Sequence, residues 1–333
     1  MRPTKPQSFA GDDKVMQTRT LKSDALLLVA AFIWGTTFVA QRKGMDHIGP
    51  MTYIVLRFPL GAATLVPLIL WRRKGVTRGP RCTRRFLLWG GALAGLALFG
   101  GTTFQQLGLQ YTTAGKAGFV TSLYVVLVPL MGLALGHRSG RSLWIGVCLT
   151  VAGLYLLSVT ESFTIARGDL LVLIGAFFWA IHVLVIGYLA QRGDSLRIAC
   201  VQFVVCATLA LPFALATEKI SLSAIREAAI PVLYGGVLSA GVAFTLQVVC
   251  QRTSPPAHAA IIMSLETVFA ALAGGLVLGE RLGLRALAGC ALMLTGLMVV
   301  QLPPLLGRRP NSREEAGHGA EAGEAPPYHD PLG

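Results

Sequence analysis

Residues 257–281 read AHAAIIMSLETVFAALAGGLVLGER, a largely apolar stretch that encloses one acid, Glu266, before it ends in Gly-Glu-Arg. A helix of about 20 such residues is roughly 30 Å long, which matches the hydrocarbon layer of a bilayer. A carboxylate that faces lipid at that depth costs about 2.5 kcal/mol or more, and function is the usual reason for tolerating it. The stretch therefore predicts a membrane span with a functional acid near its middle.

The rest of the chain has the same pattern, because its polar residues are bunched between long apolar runs. Of its 333 residues, 53% are hydrophobic and only 14% are charged, and the mean hydropathy is +0.62. In lipid a helix is favoured because it satisfies every backbone donor and acceptor within one segment. These features predict an all-α, polytopic membrane protein.

Ten apolar runs are long enough to be membrane-spanning helices. The predicted spans are residues 24–41, 51–71, 86–109, 114–136, 142–159, 169–190, 196–216, 229–250, 257–279 and 284–302. They form two groups of five, residues 24–159 and 169–302, joined by a linker at 160–168. The segment 1–23 is polar, and the tail 303–333 is predicted to be disordered because it cannot bury enough apolar area to offset the entropy of ordering.

The net charge of +13 does not predict nucleic-acid binding, because the basic residues flank the apolar runs without interleaved aromatic residues. If the N-terminus is cytoplasmic, 20 of the 29 Lys and Arg residues lie on the cytoplasmic side, as the positive-inside rule requires. Both termini are therefore predicted to be cytoplasmic. The six cysteines are scattered without a metal-ligand spacing, so we predict neither a metal nor a cofactor.

The chain also matches itself when shifted by 145 residues in its early spans and by 142 or 143 in its later ones. The matched pairs include Asp24 with Asp169, Trp34 with Trp179, Phe58 with Phe203, Pro67 with Pro212, Gln105 with Gln247, Ser122 with Ser264, Gly146 with Gly289, and Gly153 with Gly296. Chance matches of Trp, Pro, Gln and Asp are rarer than those of Leu and Ala, so we interpret the match as an internal repeat. Because each repeat holds five spans, an odd number, the two repeats are predicted to be inverted in the membrane.

Four segments carry a resemblance to a known family: FIWGTTFVAQRKG in the first span, VLRF at 55–58, YTTAGKAGFVTSLYVVLVP at 111–129, and SLETVFAAL followed by LGER. In these segments the chain resembles the EamA-type drug/metabolite transporters over residues 22–302. The resemblance implies a ten-helix carrier of the bacterial inner membrane, often an exporter of amino acids or other small metabolites. It also implies a pore among spans one to four and six to nine. Thr267 follows Glu266 where many members carry proline, which leaves local bending of that helix open.

Counting 1.5 Å per residue along the spans places several side chains near the membrane midplane, about 14–15 Å deep. Together with repeat-mates and near neighbours, these side chains form the candidate substrate-binding set. The set is Trp34, Thr37, Tyr124, Trp179, His182 and Glu266. It suits an amphipathic organic solute, because aromatic faces stack and an acid pairs with an amine. An aromatic plug between packed helices is the alternative. Glu266 is a candidate partner for a substrate ammonium group or a proton carrier, or else a structural acid held between helices.

Several other polar residues, prolines and glycines lie within the spans, and two interpretations remain open for each of them. Arg57 either holds a substrate carboxylate at the pore mouth or extends its long stem to the surface. Gln247, like Gln105, either lines the cavity or bonds across helices. Three prolines inside spans are candidate gating points or static bends, and they are Pro67, Pro129 and Pro212. The paired glycines of spans five and ten predict packing seams, with a dimer contact as the alternative.

Together these features and the resemblance predict a secondary transporter that exports small organic metabolites, with amino acids as the first expectation, by alternating access. An efflux carrier for drugs or other metabolites is the nearest alternative, followed by a channel or a scaffold that does not transport. A membrane-embedded enzyme is disfavoured, because the sequence contains no HExxH, GxSxG or Walker motif. The expected partners are a small-molecule substrate and the lipid bilayer but no nucleic acid, and the chain is expected to be a monomer or a homodimer.

Overall fold

The structure is a computed structural model, and it describes residues 10–74, 83–112, 114–137, 139–158, 167–278 and 283–305. Within these ranges every regular element is a helix. In chain order the helices are α1 (Ala10–Met45), α2 (Pro50–Lys74), α3 (Arg84–Leu109), α4 (Ala114–Ser122), α5 (Tyr124–Ala134), α6 (Arg141–Ser158), α7 (Arg167–Arg192), α8 (Ser195–Thr217), α9 (Leu222–Glu227), α10 (Ala229–Leu233), the π-helix π1 (Tyr234–Phe244), α11 (Thr245–Cys250), α12 (Pro256–Met263), α13 (Glu266–Leu278) and α14 (Leu284–Leu305).

Eight helical segments of the described chain are long and apolar enough to cross a membrane. They correspond to the predicted spans one to four and six to nine. Predicted spans five and ten correspond to shorter apolar helices, Arg141–Leu156 in α6 and Leu284–Val300 in α14. At 1.5 Å per residue each of these two is about 25 Å long, a little less than the hydrocarbon layer. Eight of the ten predicted spans therefore have the length and composition of membrane-crossing helices.

Three features lie outside the predicted boundaries or outside the described residues. α1 begins at Ala10, so it includes part of the polar segment 1–23. The short helix α9, which the sequence did not predict, is capped by Ser221 through its hydroxyl group. The part of the predicted tail beyond Leu305 and most of the linker 160–168 lie outside the described residues.

Contacts between the two repeats indicate a pseudo-two-fold axis. Phe58 stacks on its repeat-mate Phe203 with the ring centroids 5.7 Å apart. The hydroxyl group of Ser122 donates to the carbonyl oxygen of its repeat-mate Ser264 at 3.4 Å. A residue can touch its own symmetry-mate only where the axis passes close by. The axis therefore passes between α2 and α8, and between the end of α4 and the turn after α12.

The glycines of α6 and α14 form the predicted packing seam within a single chain. A Cβ atom added to Gly146 would lie 2.9 Å from the carbonyl oxygen of Gly296, and one added to Gly153 would lie 2.6 Å from that of Gly289. Gly146 and Gly289 are repeat-mates, and so are Gly153 and Gly296. The two contacts therefore exchange under the repeat relation, in agreement with the pseudo-two-fold axis.

The fourth and ninth predicted spans are each interrupted near the middle, between α4 and α5 and between α12 and α13. The repeat-mates Leu123 and Leu265 occupy the two interruptions. Their N–H groups donate to the carbonyl oxygens three residues earlier, of Val120 at 3.3 Å and Ile262 at 3.2 Å. Such a tightened turn interrupts the α-helix while its N–H groups remain bonded. The interruption just before Thr267 thus forms without a proline.

The three prolines that the sequence singled out as candidate gating points do not coincide with these interruptions. Pro67, Pro129 and Pro212 lie inside α2, α5 and α8, and each of these helices continues through its proline. The gating role of the prolines stays a prediction.

The eighth predicted span contains the 11-residue π-helix, and glycines bring that helix close to α2. A Cβ atom added to Gly236 would lie 2.6 Å from Cβ of Leu60, and one added to Gly61 would lie 2.6 Å from Cβ of Ala240. Most other side chains at these positions would force the two helices apart. π-helices are rare and are often found at functional sites, and π1 carries Ser239 and Phe244 to the cavity described below.

Large apolar side chains cover the outer faces of the helices as well as the interior. Trp71, Trp89 and Leu276 are 72%, 71% and 88% exposed. Exposed apolar surface on this scale is unfavourable in water but matches a lipid environment. The buried apolar residues form two main clusters, which both contact Trp34 and Trp179. The fold thus surrounds these two tryptophans with packed helices.

Candidate functional site

A cavity lies between the two repeats and is lined by residues from both. Its empty volume is about 460 Å³, which includes open space at its mouth. The lining residues are Trp34, Thr37, Phe38, Gln41, Arg57, Gln105, Thr121, Tyr124, Trp179, Val183, Ser239, Phe244, Gln247, Met263 and Glu266. Seven of the eight residues predicted to bind a substrate are among them.

His182 is the predicted residue that the structure places behind the cavity wall. Its side chain is fully buried, and its Nε2 atom lies 2.9 Å from Oε1 of Gln202. Its ring meets those of Trp179 and Phe244 edge to face, at 5.8 and 6.0 Å between centroids. His182 therefore supports the aromatic wall from behind instead of facing the cavity.

Glu266 is the first residue of α13, and its side chain is only 5% exposed. The hydroxyl groups of Tyr124 and Ser122 approach its carboxyl group closely enough to hydrogen-bond to it. Its Oε1 atom has no hydrogen-bond partner within the described chain. Because an unsatisfied buried oxygen is costly, Glu266 retains the capacity to accept a bond from a molecule in the cavity.

Arg57 reaches the cavity from α2 and is 2% exposed, so the structure contradicts the alternative in which its stem extends to the surface. Its Nη2 atom donates to Oγ of Ser239 at 2.8 Å. Its Cζ atom lies 5.1 Å from the ring centroid of Phe58 and 5.9 Å from that of Phe244. The Nε and Nη1 atoms have no hydrogen-bond partner among the described residues. The cation is thus held against aromatic rings with part of its bonding capacity unused.

Phe244 is the centre of the aromatic wall. Its ring centroid lies 4.8 Å from that of Trp34 and 5.7 Å from that of Trp179, on which it stacks. The Nε1 atoms of both tryptophans are buried without a hydrogen-bond partner in the described part of the chain. This arrangement combines aromatic faces with two free N–H donors, which suits a solute that has both apolar and polar parts.

The remaining lining residues show that some polar groups are already paired. Gln105 Nε2 donates to Oγ1 of Thr121 at 3.0 Å, so this glutamine both lines the cavity and bonds across helices. Gln247 also lines the cavity, and its Oε1 atom has no partner among the described residues. The sequence interpretation did not include seven of the lining residues, which are Phe38, Gln41, Thr121, Val183, Met263, Ser239 and Phe244. The glycines of π1 were the available signal for the last two, because they indicate a close approach to another helix.

Contacts between the repeats close the structure at two ends. Oδ1 of Asp24, in the first repeat, lies 3.1 Å from Nε2 of His258, in the second repeat. We call this pair the first end contact. Thr112 of the first repeat donates its hydroxyl hydrogen to Asp169 of the second, and this is the second end contact. Asp24 and Asp169 are repeat-mates. The two end contacts therefore occupy equivalent places in the two repeats.

Between the first end contact and the cavity the helices are tightly packed. Leu27 and Ala31 of α1 are fully buried and belong to the same cluster as Ile262 of α12. On the other side of Trp34, the cavity follows α1 as far as Gln41. The structure therefore separates the cavity from the Asp24 end by a layer of apolar side chains.

The sequence model of the EamA-like transporter family matches residues 21–159 and again residues 166–302. The chain belongs to the EamA-like transporter family. The two matches are the two repeats that the self-alignment predicted, and together they cover most of this EamA chain. Its membership identifies it as a transporter with helices that cross the membrane.

Relatives and solved structures agree with this assignment. An uncharacterized transporter of Archaeoglobus fulgidus is 31% identical over 287 residues, which cover 85% of this chain and 87% of the relative. The uncharacterized transporter YoaV of Bacillus subtilis is 23% identical over 283 residues, covering 82% and 94% of the two chains. A solved crystal structure has a TM-score of 0.71 at 19% identity and covers 86% of this chain and 99% of its own. That likeness shows that the two chains share a fold.

Proposed function

We propose that this EamA protein is a secondary transporter that exports small organic solutes, with amino acids as the leading candidates, by alternating access. The observation that carries the proposal is a buried cavity at the interface of the two repeats, with a carboxyl group and a guanidinium group in its walls. Transporters built from inverted repeats bind their substrates at such an interface.

The equivalent positions of the two end contacts support alternating access. If opening toward one side breaks the Asp24–His258 contact, the repeat relation supplies an equivalent movement that breaks the Thr112–Asp169 contact on the other side. A pseudo-two-fold axis makes the two movements close in free energy, so small differences in ligand binding shift the balance.

The chemistry of the cavity supports a substrate with opposite charges and an apolar part. Glu266 offers an oxygen acceptor to an ammonium group, and Arg57 offers N–H donors to a carboxylate. The rings of Trp34, Trp179 and Phe244 offer apolar faces. An amino acid combines these three features in one small molecule.

The membrane arrangement that we propose has ten crossings, with α6 and α14 as the fifth and tenth. Both termini then lie in the cytoplasm of a bacterial cell, because this orientation leaves most Lys and Arg residues on the inner side. It places the Asp24 end of the cavity toward the cytoplasm and the Asp169 end outside. Whether the transporter works as a monomer or a homodimer is a separate prediction.

The test is solute counterflow in proteoliposomes that are loaded with one amino acid at a time. We expect the native chain to exchange at least one of them and Glu266→Gln to lose about tenfold or more of that activity, because an amide neither neutralises an ammonium group nor carries a proton. The matched control is Glu227→Gln, since Glu227 is an exposed acid that pairs with His47 away from the cavity.

Each outcome of this experiment addresses a different part of the proposal. Failure of every amino acid to exchange contradicts the proposed substrate class. Unchanged activity of Glu266→Gln at every pH tested removes Glu266 from the mechanism. A flux that does not respond to an imposed pH gradient removes proton coupling and leaves the rest of the proposal standing.

A further inference from the structure

The cavity contains both donors and acceptors that have no partner among the described residues. Donors without a partner among the described residues are Nε and Nη1 of Arg57 and the two Nε1 atoms of Trp34 and Trp179. All three of these side chains contact the ring of Phe244. The acceptors Oε1 of Glu266 and Oε1 of Gln247 belong to other helices, α13 and α11. The cavity therefore has a cluster of donors around Phe244, here called the donor cluster.

No acid of the described chain forms an ion pair with the donor cluster. No carboxylate oxygen of the described residues lies within 4 Å of the Arg57 guanidinium group, and its one hydrogen bond is to the neutral hydroxyl of Ser239. Contact with two aromatic rings offsets only part of the cost of burying a cation. A buried cation that keeps unused donors toward a cavity is well placed to bind an anion.

The local structure holds Arg57 in this position instead of allowing it to reach the surface. Gly235 and Gly236 of π1 lie directly against α2, where a Cβ atom at Gly236 would lie 3.0 Å from the carbonyl oxygen of Arg57. The same helix supplies Ser239, which fixes one nitrogen of the guanidinium group. The Nε–H group and both N–H groups of Nη1 remain free to donate to an anion.

We propose that the donor cluster binds the carboxylate of the substrate, with Arg57 as its charged anchor, so that a carboxylate is required for binding in this cavity. The inference rests on the proposed transport function and deepens it. The cavity is then expected to bind carboxylates but not amines that lack an acid group. Trp34 and Trp179 contribute the additional N–H donors and the apolar faces beside the carboxylate.

The test compares two ligands that differ only in this group, 3-phenylpropanoate and its neutral amide 3-phenylpropanamide. Binding to the purified full-length chain in detergent is measured by calorimetry and by ligand-induced shifts in Tm, in gluconate buffer. We expect the native chain to bind the carboxylate about tenfold or more tighter than the amide, because only the carboxylate has a negative charge to pair with the Arg57 guanidinium group.

The variants are Arg57→Gln and Arg57→Lys, with Arg197→Gln as the matched control at an exposed arginine that pairs with Asp194. Arg57→Gln should abolish the preference for the carboxylate, Arg57→Lys should keep part of it, and Arg197→Gln should keep all of it. Because the comparison of the two ligands on the native chain needs no variant, it stands even if Arg57→Gln fails to fold.

Several results would overturn the inference. They are equal affinity of the native chain for acid and amide, no binding of the acid at millimolar concentration, and an undiminished preference in a folded Arg57→Gln. Equal stabilisation by chloride alone would also overturn it, because the site would then be one for inorganic anions. If the acid binds as expected while no amino acid shows counterflow, the proposed function fails and the carboxylate site survives.

Discussion

At the scale of single residues, the cavity is asymmetric although the repeats that form it are related. Glu266 and Tyr124 are repeat-mates, and each is the first residue after the interruption of its span. One repeat thus presents a carboxyl group where the other presents a phenol. An asymmetric cavity within a pseudo-symmetric scaffold can orient a substrate that has two different ends.

Depth counting and the repeat fix the height of a side chain along its span. They brought five residues that line the cavity to one level in the sequence, namely Trp34, Thr37, Tyr124, Trp179 and Glu266. They do not fix the direction in which a side chain points. His182 is therefore at the predicted level, yet it turns toward Gln202 behind the wall. Phe244 was missed because it is one phenylalanine in an apolar run and its repeat-mate is Thr102.

The position of Phe244 leads to a prediction at this scale. Phe244→Leu removes the ring that Trp34 and Trp179 contact. We expect KM for the exchanged solute to rise about fivefold, which corresponds to roughly 1 kcal/mol, the worth of one such aromatic contact. The matched control is Phe213→Leu, at a half-exposed ring that contacts Phe99 outside the cavity. Equal KM values for the two variants in counterflow would show that Phe244 does not shape the site.

At the scale of elements, apolar runs predicted where the helices lie but not how their backbones are bonded. Hydrophobicity sets the length of a span, and eight of the ten predicted spans are observed at membrane-crossing length for that reason. The interruptions at Leu123 and Leu265 and the π-helix π1 depend on local hydrogen bonding and on helix contacts instead. Neither has a hydropathy signal, so both became visible only in the structure.

The contact between π1 and α2 leads to a prediction about stability. In Gly236→Ala the new methyl group would lie 2.6 Å from Cβ of Leu60, so the two helices must separate. We expect a loss of about 1–3 kcal/mol in stability, as for other overpacked contacts, together with reduced transport because Ser239 moves away from Arg57. Thermal unfolding in detergent and counterflow measure the two effects.

The control for this prediction is Gly115→Ala, where an added Cβ atom meets no other atom within 4 Å. Alanine favours a helix over glycine by about 0.5–1 kcal/mol, so this variant should be at least as stable as the native chain. A Gly236→Ala chain that unfolds at the native temperature would contradict the close packing described for π1.

At the scale of the whole molecule, the two repeats form one cavity with an equivalent contact at each end. The self-alignment of the sequence predicted the repeats, and the family match and the contacts of repeat-mates agree with it. The pairing of Asp24 with His258 was not predicted. Asp24 and Asp169 are repeat-mates, but their partners, His258 and Thr112, are not. Alternating access requires that this end of the molecule open and close during each cycle.

Alternating access is tested most directly by joining α1 to the turn between α11 and α12 at the Asp24 end. The hydroxyl oxygens of Ser23 and Thr253 lie 2.9 Å apart there, so Ser23→Cys and Thr253→Cys can be linked with little distortion after the six native cysteines are replaced. Counterflow in proteoliposomes is measured three times: before cross-linking with a short bis-methanethiosulfonate, after cross-linking, and after reduction with dithiothreitol. The two variants with only one of these cysteines are the controls. We expect transport to stop only in the linked double variant and to return when the link is reduced. Full transport by the completely linked chain would contradict alternating access at this end.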